Sequence, residues 1–334
     1  MKAIICEQYG GPEILQFEDV EVPKVGPNGV LVRVLATSVN PIDWRLRNGM
    51  LRSVLPVIFP VIWGADCSGM VEAVGSAVTH FKPGDEVYGF KDGRVAKTYR
   101  GTYAEYAVLP ENSLTRKPAS LSHEEAASIP LAALTAWQGL VVQGKIKSGD
   151  KVLVQAGAGG VGIFAIQIAK AFGAHVAATA STRNQDFLRE LGADVAIDYQ
   201  RERPQDKISG YDLVLDGVGE SVWANSFAAM RPGGKMMSLL APIPRDGAGK
   251  LRFFSYAASH MIGWTIRGGI TGKRLLLTRG QPRGGELEKI SVLIEAKKVR
   301  TVIERVFPFE EMADAHRLSE TGHVRGKIVV RVAM

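Results

Sequence analysis

Gly157, Gly159 and Gly162 stand at the spacing G-x-G-x-x-G, between the apolar run KVLVQA (151–156) and a second apolar run that reaches Ala169. In a strand–turn–helix setting each glycine has a separate task. One permits the tight turn, one lets the backbone approach a pyrophosphate, and one lets helix and strand pack closely. The N–H groups that open the helix, at Gly160, Val161 and Gly162, are free to meet phosphate oxygens, and the helix dipole favours the negative charge. The stretch therefore predicts a dinucleotide site.

About twenty residues further on, the expected second strand, HVAATA (175–180), ends in Ser181, Thr182 and Arg183, with no carboxylate before Asp186. A site for NAD places Asp or Glu there to accept from the ribose 2′-hydroxyl. Two hydroxyls and a guanidinium suit a 2′-phosphate instead, because arginine offers a planar fork of donors. A solvated arginine is the plain alternative, yet a cation beside a helix start is poorly placed. NADPH is the expected cofactor.

The elements that must position these residues follow from periodicity. Up to about residue 118, short alternating runs such as GVLVRVLATSV (29–39) and GDEVYGF (84–90) lie between glycines and prolines, as in a compact β unit. From 120 the period lengthens. Ser122 and Glu125 have capping-box spacing, and Pro130 must kink or divide the helix that follows. Strands and helices then alternate, with strands expected over DVAIDY, YDLVLDGV, GGKMMSLLA and MIGWTIRG (261–268), which predicts a doubly wound parallel sheet. A helix over 285–296 and two further strands, VRTVIERVF and GKIVVRV, return to the β unit.

Composition narrows the classes further. The chain has 334 residues, 46% hydrophobic content and a net charge of +7, enough for two domains. The positive charge raises nucleic acid or anionic surfaces as partners. No nucleic-acid module accompanies it, and its densest region, 267–283, is glycine-rich and reads as a surface loop. Residues 152–169 lack charge, but four glycines and Gln155 mark a buried helix on a parallel sheet and no membrane span. Two cysteines, Cys6 and Cys67, make no disulfide framework, and the first ten residues make no secretory core. A soluble, cytoplasmic protein that binds no nucleic acid is expected.

Seven motifs in order carry a resemblance: NPIDWRLRNG (40–49), GADCSGMVEAVG (64–75), FKPGDEVYG (81–89), GTYAEYAV (101–108), AGAGGVG (156–162), LGADVAIDY (191–199) and GHVRGKIVV (322–330). The chain resembles the medium-chain dehydrogenase/reductase superfamily, in its zinc-free quinone oxidoreductase-like branch. The resemblance implies an α/β fold: a GroES-like, barrel-type β domain over 1–120 and 272–334, and a Rossmann doubly wound domain over 121–271. It also implies hydride transfer at a cleft between them, and a homodimer joined through the last Rossmann strand, expected at 261–267.

Zinc relatives need a thiolate and an imidazole to polarise an alcohol oxygen. Where the resemblance would place the first two ligands, this chain has Asp43 and Asp66, and no cysteine occurs between 90 and 118. No metal is expected. Asp43 pairs with a nearby arginine, Arg47 being the candidate, or with a backbone amide, and Cys67 is a core residue. Conjugated acceptors need no metal, because the charge spreads to an oxygen that one or two hydrogen bonds can hold. The implied substrate is a quinone or an α,β-unsaturated carbonyl. An enoyl-thioester reductase and a non-catalytic NADPH-sensing protein stand as alternatives.

The resemblance also assigns residues. Asn40, Asp43 and Trp44 line the substrate side, and Thr135 resembles a threonine near the nicotinamide. Asn40 can equally serve the turn before Pro41, and Thr135 can bond a carbonyl one turn back. Tyr199, Asp216, Val218, Leu240, Arg325 and Lys327 join the cofactor set. Pocket shape is assigned to 50–60 and 242–254. No proton donor stands out: Tyr88, Tyr103 and Tyr106 sit in strand-like motifs, and the six histidines show no ligand or triad spacing.

Overall fold

The computed structural model describes residues 1–92, 100–207, 209–242 and 250–332. The chain divides into two compact units. Unit 1 takes Met1–Leu134, Gln281–Glu295 and Thr301–Met334, and unit 2 takes Thr135–Gly280 and Ala296–Arg300.

Unit 1 opens with β1 (Lys2–Cys6), β2 (Gln16–Asp19), β3 (Gly29–Val39), α1 (Pro41–Arg47), β4 (Val61–Ile62) and β5 (Asp66–Val74). It continues with β6 (Glu86–Phe90), β7 (Tyr106–Pro110), β8 (Leu114–Arg116), α2 (His123–Ala127) and the start of α3 (Pro130–Trp137). Unit 2 follows with β9 (Lys151–Val154), α4 (Gly160–Ala171), β10 (His175–Ala180), α5 (Gln185–Glu190), β11 (Val195–Asp198) and α6 (Pro204–Lys207). It ends with β12 (Tyr211–Asp216), α7 (Trp223–Ala229), β13 (Met230–Ser238), α8 (Lys250–Thr271) and β14 (Arg274–Leu277). The chain then returns to unit 1 through α9 (Gly284–Glu295), β15 (Ile303–Pro308), α10 (Met312–Glu320) and β16 (Lys327–Arg331).

Alternation in β3 buries Val30, Val32 and Val34 against Cys67, Val71, Val87 and Leu109, the core of the larger sheet of unit 1. Its order is β15-β16-β3-β5-β6-β8, with β7 on the first half of β3. β16 pairs with the last residues of β3, so the C-terminal tail completes the first unit, as the sequence predicts. A three-stranded sheet, β2-β1-β4, lies over a second core built around Ile4, Trp63, Tyr103 and Ile328. The predicted cap of α2 forms: Ser122 Oγ accepts from Glu125 N at 3.2 Å, and Glu125 accepts from Ser122 N at 2.8 Å. Pro130 starts α3 and so divides the two helices.

Unit 2 is a six-stranded, all-parallel sheet in the order β11-β10-β9-β12-β13-β14. Two expectations are corrected here. Residues 261–268, read as an edge strand, lie inside helix α8. Met261 and Trp264 face the core at helical spacing, Trp264 packing on Trp223 and Phe227, while the residues between them face outward. An apolar run on both faces of a helix imitates a strand, because periodicity cannot separate the two. The sheet edge is β14, and the stretch 267–283 is the end of α8 followed by that strand, where a loop was expected.

Candidate functional site

In unit 2 the glycine turn leaves β9 through a polar clamp. Thr179 Oγ1 donates to Gln155 Oε1 at 2.7 Å and accepts from Ala156 N at 3.2 Å. Gly157 N donates to the Thr179 carbonyl at 2.8 Å, and Gln155 Nε2 donates to Ser226 Oγ. The sequence assigned Gln155 a role only against a membrane span and assigned Thr179 none. Their signal was two buried polar residues in otherwise apolar stretches.

The three glycines differ as the motif requires. A Cβ on Gly162 would lie 2.3 Å from the Ala156 carbonyl and 2.7 Å from Gly157 Cα, so helix and turn touch there. A Cβ on Gly159 would meet only the Ala156 oxygen, at 3.4 Å, and otherwise open space. The first bond closing the helix runs from Ile163 N to Gly159 O, so the N–H groups of Gly160, Val161 and Gly162 precede it. A cradle of that shape fits a pyrophosphate.

Beyond β10, Arg183 and Thr182 are exposed and Ser181 is half-buried. Thr182 Oγ1 donates to Asp198 Oδ2 at 2.6 Å and to Gln200 Oε1 at 3.1 Å, and Ser181 Oγ accepts from Asn184. Asp198, at the end of β11, thus fixes the loop of the 181–183 triplet, with exposed Tyr199 beside it in the chain. The sequence reading passed over Asp198, whose partner lies 16 positions away. Asp216 is fully buried. Its carboxylate accepts from Val218 N, Gly219 N, Trp223 Nε1 and Ser238 Oγ. It shapes the loop that carries exposed Val218, while the Leu240 carbonyl accepts from Ser238.

In unit 1 a buried polar cluster forms around Asn40. Pro41 starts α1, and Asp43, at its third position, accepts from Asn40 N at 2.8 Å. The Asn40 side chain is left for other work. Its Nδ2 donates to Asp66 Oδ2 at 2.8 Å, and its Oδ1 accepts from Lys327 Nζ at 2.5 Å. Asp66 also accepts from Ser38 Oγ and Leu131 N, and Lys327 Nζ stands 3.5 Å from it. The resemblance puts Lys327 among cofactor residues; its ammonium meets Asn40 and Asp66, and only 3% of the residue is exposed.

A second chain of contacts reaches Asp43 from behind. Tyr103 OH donates to Asp43 Oδ2 at 3.1 Å and meets His316 Nε2 at 3.2 Å. His316 Nδ1 faces Arg47, whose guanidinium also donates to Glu320. Of the two partners expected for Asp43, the backbone amide is found, at Asn40, and Arg47 is not: α1 turns Arg47 toward α10, and Tyr103 is the second donor to the carboxylate. Trp44 Nε1 is buried, with no hydrogen-bond partner among the described residues.

Burial raises the Asp43 carboxyl to about 7, with the nearby Asp66 adding to the rise. Burial, then Arg47, lowers His316 to about 3. Burial also lowers Lys327, against the pull of Asp66 and Asp43. For Asp43 the folded value exceeds the unfolded one, so its contribution to stability is full below about 4 and is lost as pH rises through about 7. His316 contributes oppositely, losing stability as pH falls from about 6.5 toward 3. Asp43→Asn keeps the acceptor oxygen without the titration. Its melting temperature relative to the unmodified protein should rise between pH 5 and pH 8; a pH-independent difference would contradict the buried-carboxylate account.

Thr135 is buried within α3 and begins unit 2. Arg325 N donates to Glu304 across β15 and β16. One triad-like contact escaped the sequence reading: Ser68 Oγ meets His123 Nδ1 at 2.8 Å, and His123 Nε2 meets Glu86 at 3.0 Å. Ser68 has no exposed surface, so the contact fastens α2 to β5 and β6 and offers no nucleophile. Cys67 is core, and burial raises its thiol. Among the described residues no group of three His, Cys, Asp or Glu could hold a metal ion. Of the pocket-shaping segment 242–254, residues 243–249 lie outside the described residues.

Known proteins place this arrangement. Residues 26–119 match the alcohol dehydrogenase GroES-like domain, and 191–330 match the zinc-binding dehydrogenase family. The chain is 36% identical to the mitochondrial NAD(P)H oxidoreductase RTN4IP1 of Mus musculus, over 99% of this chain and 89% of that one. It is 35% identical to the chloroplastic NADPH-dependent alkenal/one oxidoreductase of Arabidopsis thaliana, over 99% of this chain and 79% of that one. The structure of a quinone oxidoreductase from Coxiella burnetii superposes with a TM-score of 0.82 at 36% identity, covering 99% of both chains. With full-length identity of this order, the chain belongs to the medium-chain dehydrogenase/reductase superfamily, as an NAD(P)H oxidoreductase among its quinone oxidoreductase-like and alkenal/one oxidoreductase-like members.

Proposed function

We propose that the protein reduces a conjugated acceptor, a quinone or an α,β-unsaturated carbonyl such as an enone or enal, at the expense of NADPH and without a metal. The observation that carries this reading is Lys327. Where the resemblance puts metal ligands, a buried ammonium sits 2.5 Å from Asn40 and 3.5 Å from Asp66. The cluster supplies its own cation, and Asp66 is occupied by Ser38, Asn40 and the Leu131 amide. A divalent ion would meet that positive charge and find no thiolate or imidazole. Hydrogen-bond donors must then hold the acceptor oxygen, which suffices when charge spreads through a conjugated system.

When bound, NADPH supplies the hydride. The chain's own residues do the rest. Gly157, Gly159 and the N–H groups of Gly160, Val161 and Gly162 hold the pyrophosphate, and Arg183 with Ser181 holds the 2′-phosphate. Asp43 keeps the start of α1 in place through the Asn40 amide. Relatives named for quinone reduction and for alkenal/one reduction support the substrate class. Measuring NADPH oxidation with a quinone, an enal, an enone and an enoyl thioester tests it. Turnover of the first three and not the thioester is expected; a thioester preference would favour the enoyl reductase reading, and no turnover with any would favour a sensing role.

Cofactor preference gives a sharper test. A charge-assisted hydrogen bond contributes about 1.5–3 kcal/mol, so Arg183→Ala should weaken NADPH binding roughly 10- to 100-fold and leave NADH nearly unchanged. Equal losses for both cofactors would remove Arg183 from the 2′-phosphate site. A homodimer is proposed through β14, the terminal strand of the unit 2 sheet, because an unpaired edge invites pairing. Light scattering showing a monomer at micromolar concentration would count against it. A cytoplasmic location is kept as a proposal, although several relatives carry mitochondrial or chloroplastic names.

A further inference from the structure

The whole positive excess of the chain lies in one stretch. Residues 247–285 hold seven of the 41 Lys and Arg and no Asp or Glu, while the other 34 basic residues are matched by the 34 acidic ones. Helix α8 occupies most of that stretch. One side of it is spoken for, with Met261 and Trp264 in the core of unit 2. The other side is an apolar stripe. Leu251, Phe254, Ile262, Ile266 and Ile270 are 86%, 58%, 59%, 58% and 83% exposed, and exposed Ala258 completes the four-residue step between Phe254 and Ile262. At 1.5 Å per residue the stripe runs about 29 Å. Isolated exposed apolar residues need no explanation, but a continuous row of them marks an interaction surface.

We propose that this face of α8 docks on an anionic phospholipid surface. The helix lies in the plane of the interface, its aliphatic side chains enter the boundary between headgroups and acyl chains, and the exposed Arg252 and Arg267 of the same helix meet lipid phosphates. Charge decides among the occupants. A second copy placed α8 against α8 would set the Arg252 and Arg267 charges of one helix against those of the other, with no acidic residue on either helix. A nucleic acid would answer the charge and leave the aliphatic row in water. No described helix is long and apolar enough to cross a membrane, so α8 rests on the surface and does not span it. Leu251 and Phe254 fall in the segment assigned to pocket shape, but Ile262, Ile266 and Ile270 do not, so docking tested at those three and the redox reading fail separately.

The test is flotation of the purified protein with vesicles of phosphatidylcholine alone and with phosphatidylglycerol added. Binding to the anionic vesicles is expected to be at least about tenfold tighter and to weaken as salt is raised. Ile262→Gln, Ile266→Gln and Ile270→Gln together should reduce that binding by about tenfold or more. All three side chains are exposed, so melting temperature and NADPH oxidation with a water-soluble acceptor should stay unchanged. Three results would overturn the proposal. They are no binding to anionic vesicles, equal binding by the triple variant, or a triple variant that turns a dimer into a monomer while the unmodified protein ignores vesicles. Vesicle binding without any NADPH oxidation would sink the redox reading and leave this surface standing.

Discussion

Lys327→Met is expected to lower the melting temperature by roughly 6–20 °C, from a loss of about 3–5 kcal/mol. The ammonium is buried between Asn40 Oδ1 and the Asp66 carboxylate, and Asp66 has no exposed surface. Methionine matches the length of the side chain but leaves that carboxylate without its cation in a medium that cannot solvate it. Removing one partner of a buried pair costs more than the pair contributes, because the survivor keeps its desolvation penalty. Asp66→Asn should therefore rescue part of the loss: the double variant should be more stable than the sum of the two single effects predicts. Asn40 links the two, so its side-chain amide should also lose its fixed orientation. Additive single effects, or a Lys327→Met protein that melts within about a degree of the parent, would show that the ammonium is not held by Asp66.

This cluster marks where sequence reading reaches its limit. Local signals came through. The G-x-G-x-x-G turn, the Ser122–Glu125 cap and the break at Pro130 depend on residues within a few positions, and each forms as the spacing predicts. The valine-rich run of β3 likewise reports a strand directly, although both of its faces are buried. What the chain hides is long-range pairing. Lys327 meets Asn40 across 287 positions, and His316 meets Tyr103 across 213, so the motif containing Asn40 could not reveal that its amide has a cation on one side. The nearer Arg47 looked like the partner of Asp43 only because it was close in sequence; one turn of helix points it at Glu320.

Helix α8 was obscured for a different reason. A helix whose packed side and outward stripe are both apolar leaves only a narrow polar strip, Arg252, Ser255, Ser259 and Arg267, for a period of 3.6 to show. Residues 261–268 therefore read as a continuous apolar run, the pattern of a buried strand. The misreading and the docking proposal share one cause, the aliphatic residues on the outward side. The sequence located the densest positive charge at 267–283 but read it as a loop, so the exposed helix face beside it stayed hidden.

The second large effect separates cofactor binding from folding at a single position. Gly159→Val is expected to weaken NADPH binding by about 100-fold or more while the melting temperature barely moves. Gly159 has φ −80° and ψ 171°, extended backbone that any residue adopts, and a Cβ there has only the Ala156 oxygen nearby, at 3.4 Å. The free protein thus accepts a side chain. A bound pyrophosphate would not, because it must lie where that side chain projects to reach the N–H groups of the first turn of α4. Losing two such bonds to a charged group, at about 1.5–3 kcal/mol each, gives at least a 100-fold change. Gly159→Ala should fall between the two, since one methyl blocks less of the approach. Gly162 provides the contrast: its Cβ would overlap the Ala156 carbonyl at 2.3 Å, so Gly162→Ala should destabilise the fold itself. Titration of NADPH into folded Gly159→Val, beside thermal melts of both variants, checks the distinction. Full-strength binding by folded Gly159→Val would place the pyrophosphate elsewhere and remove the glycine turn from the cofactor site.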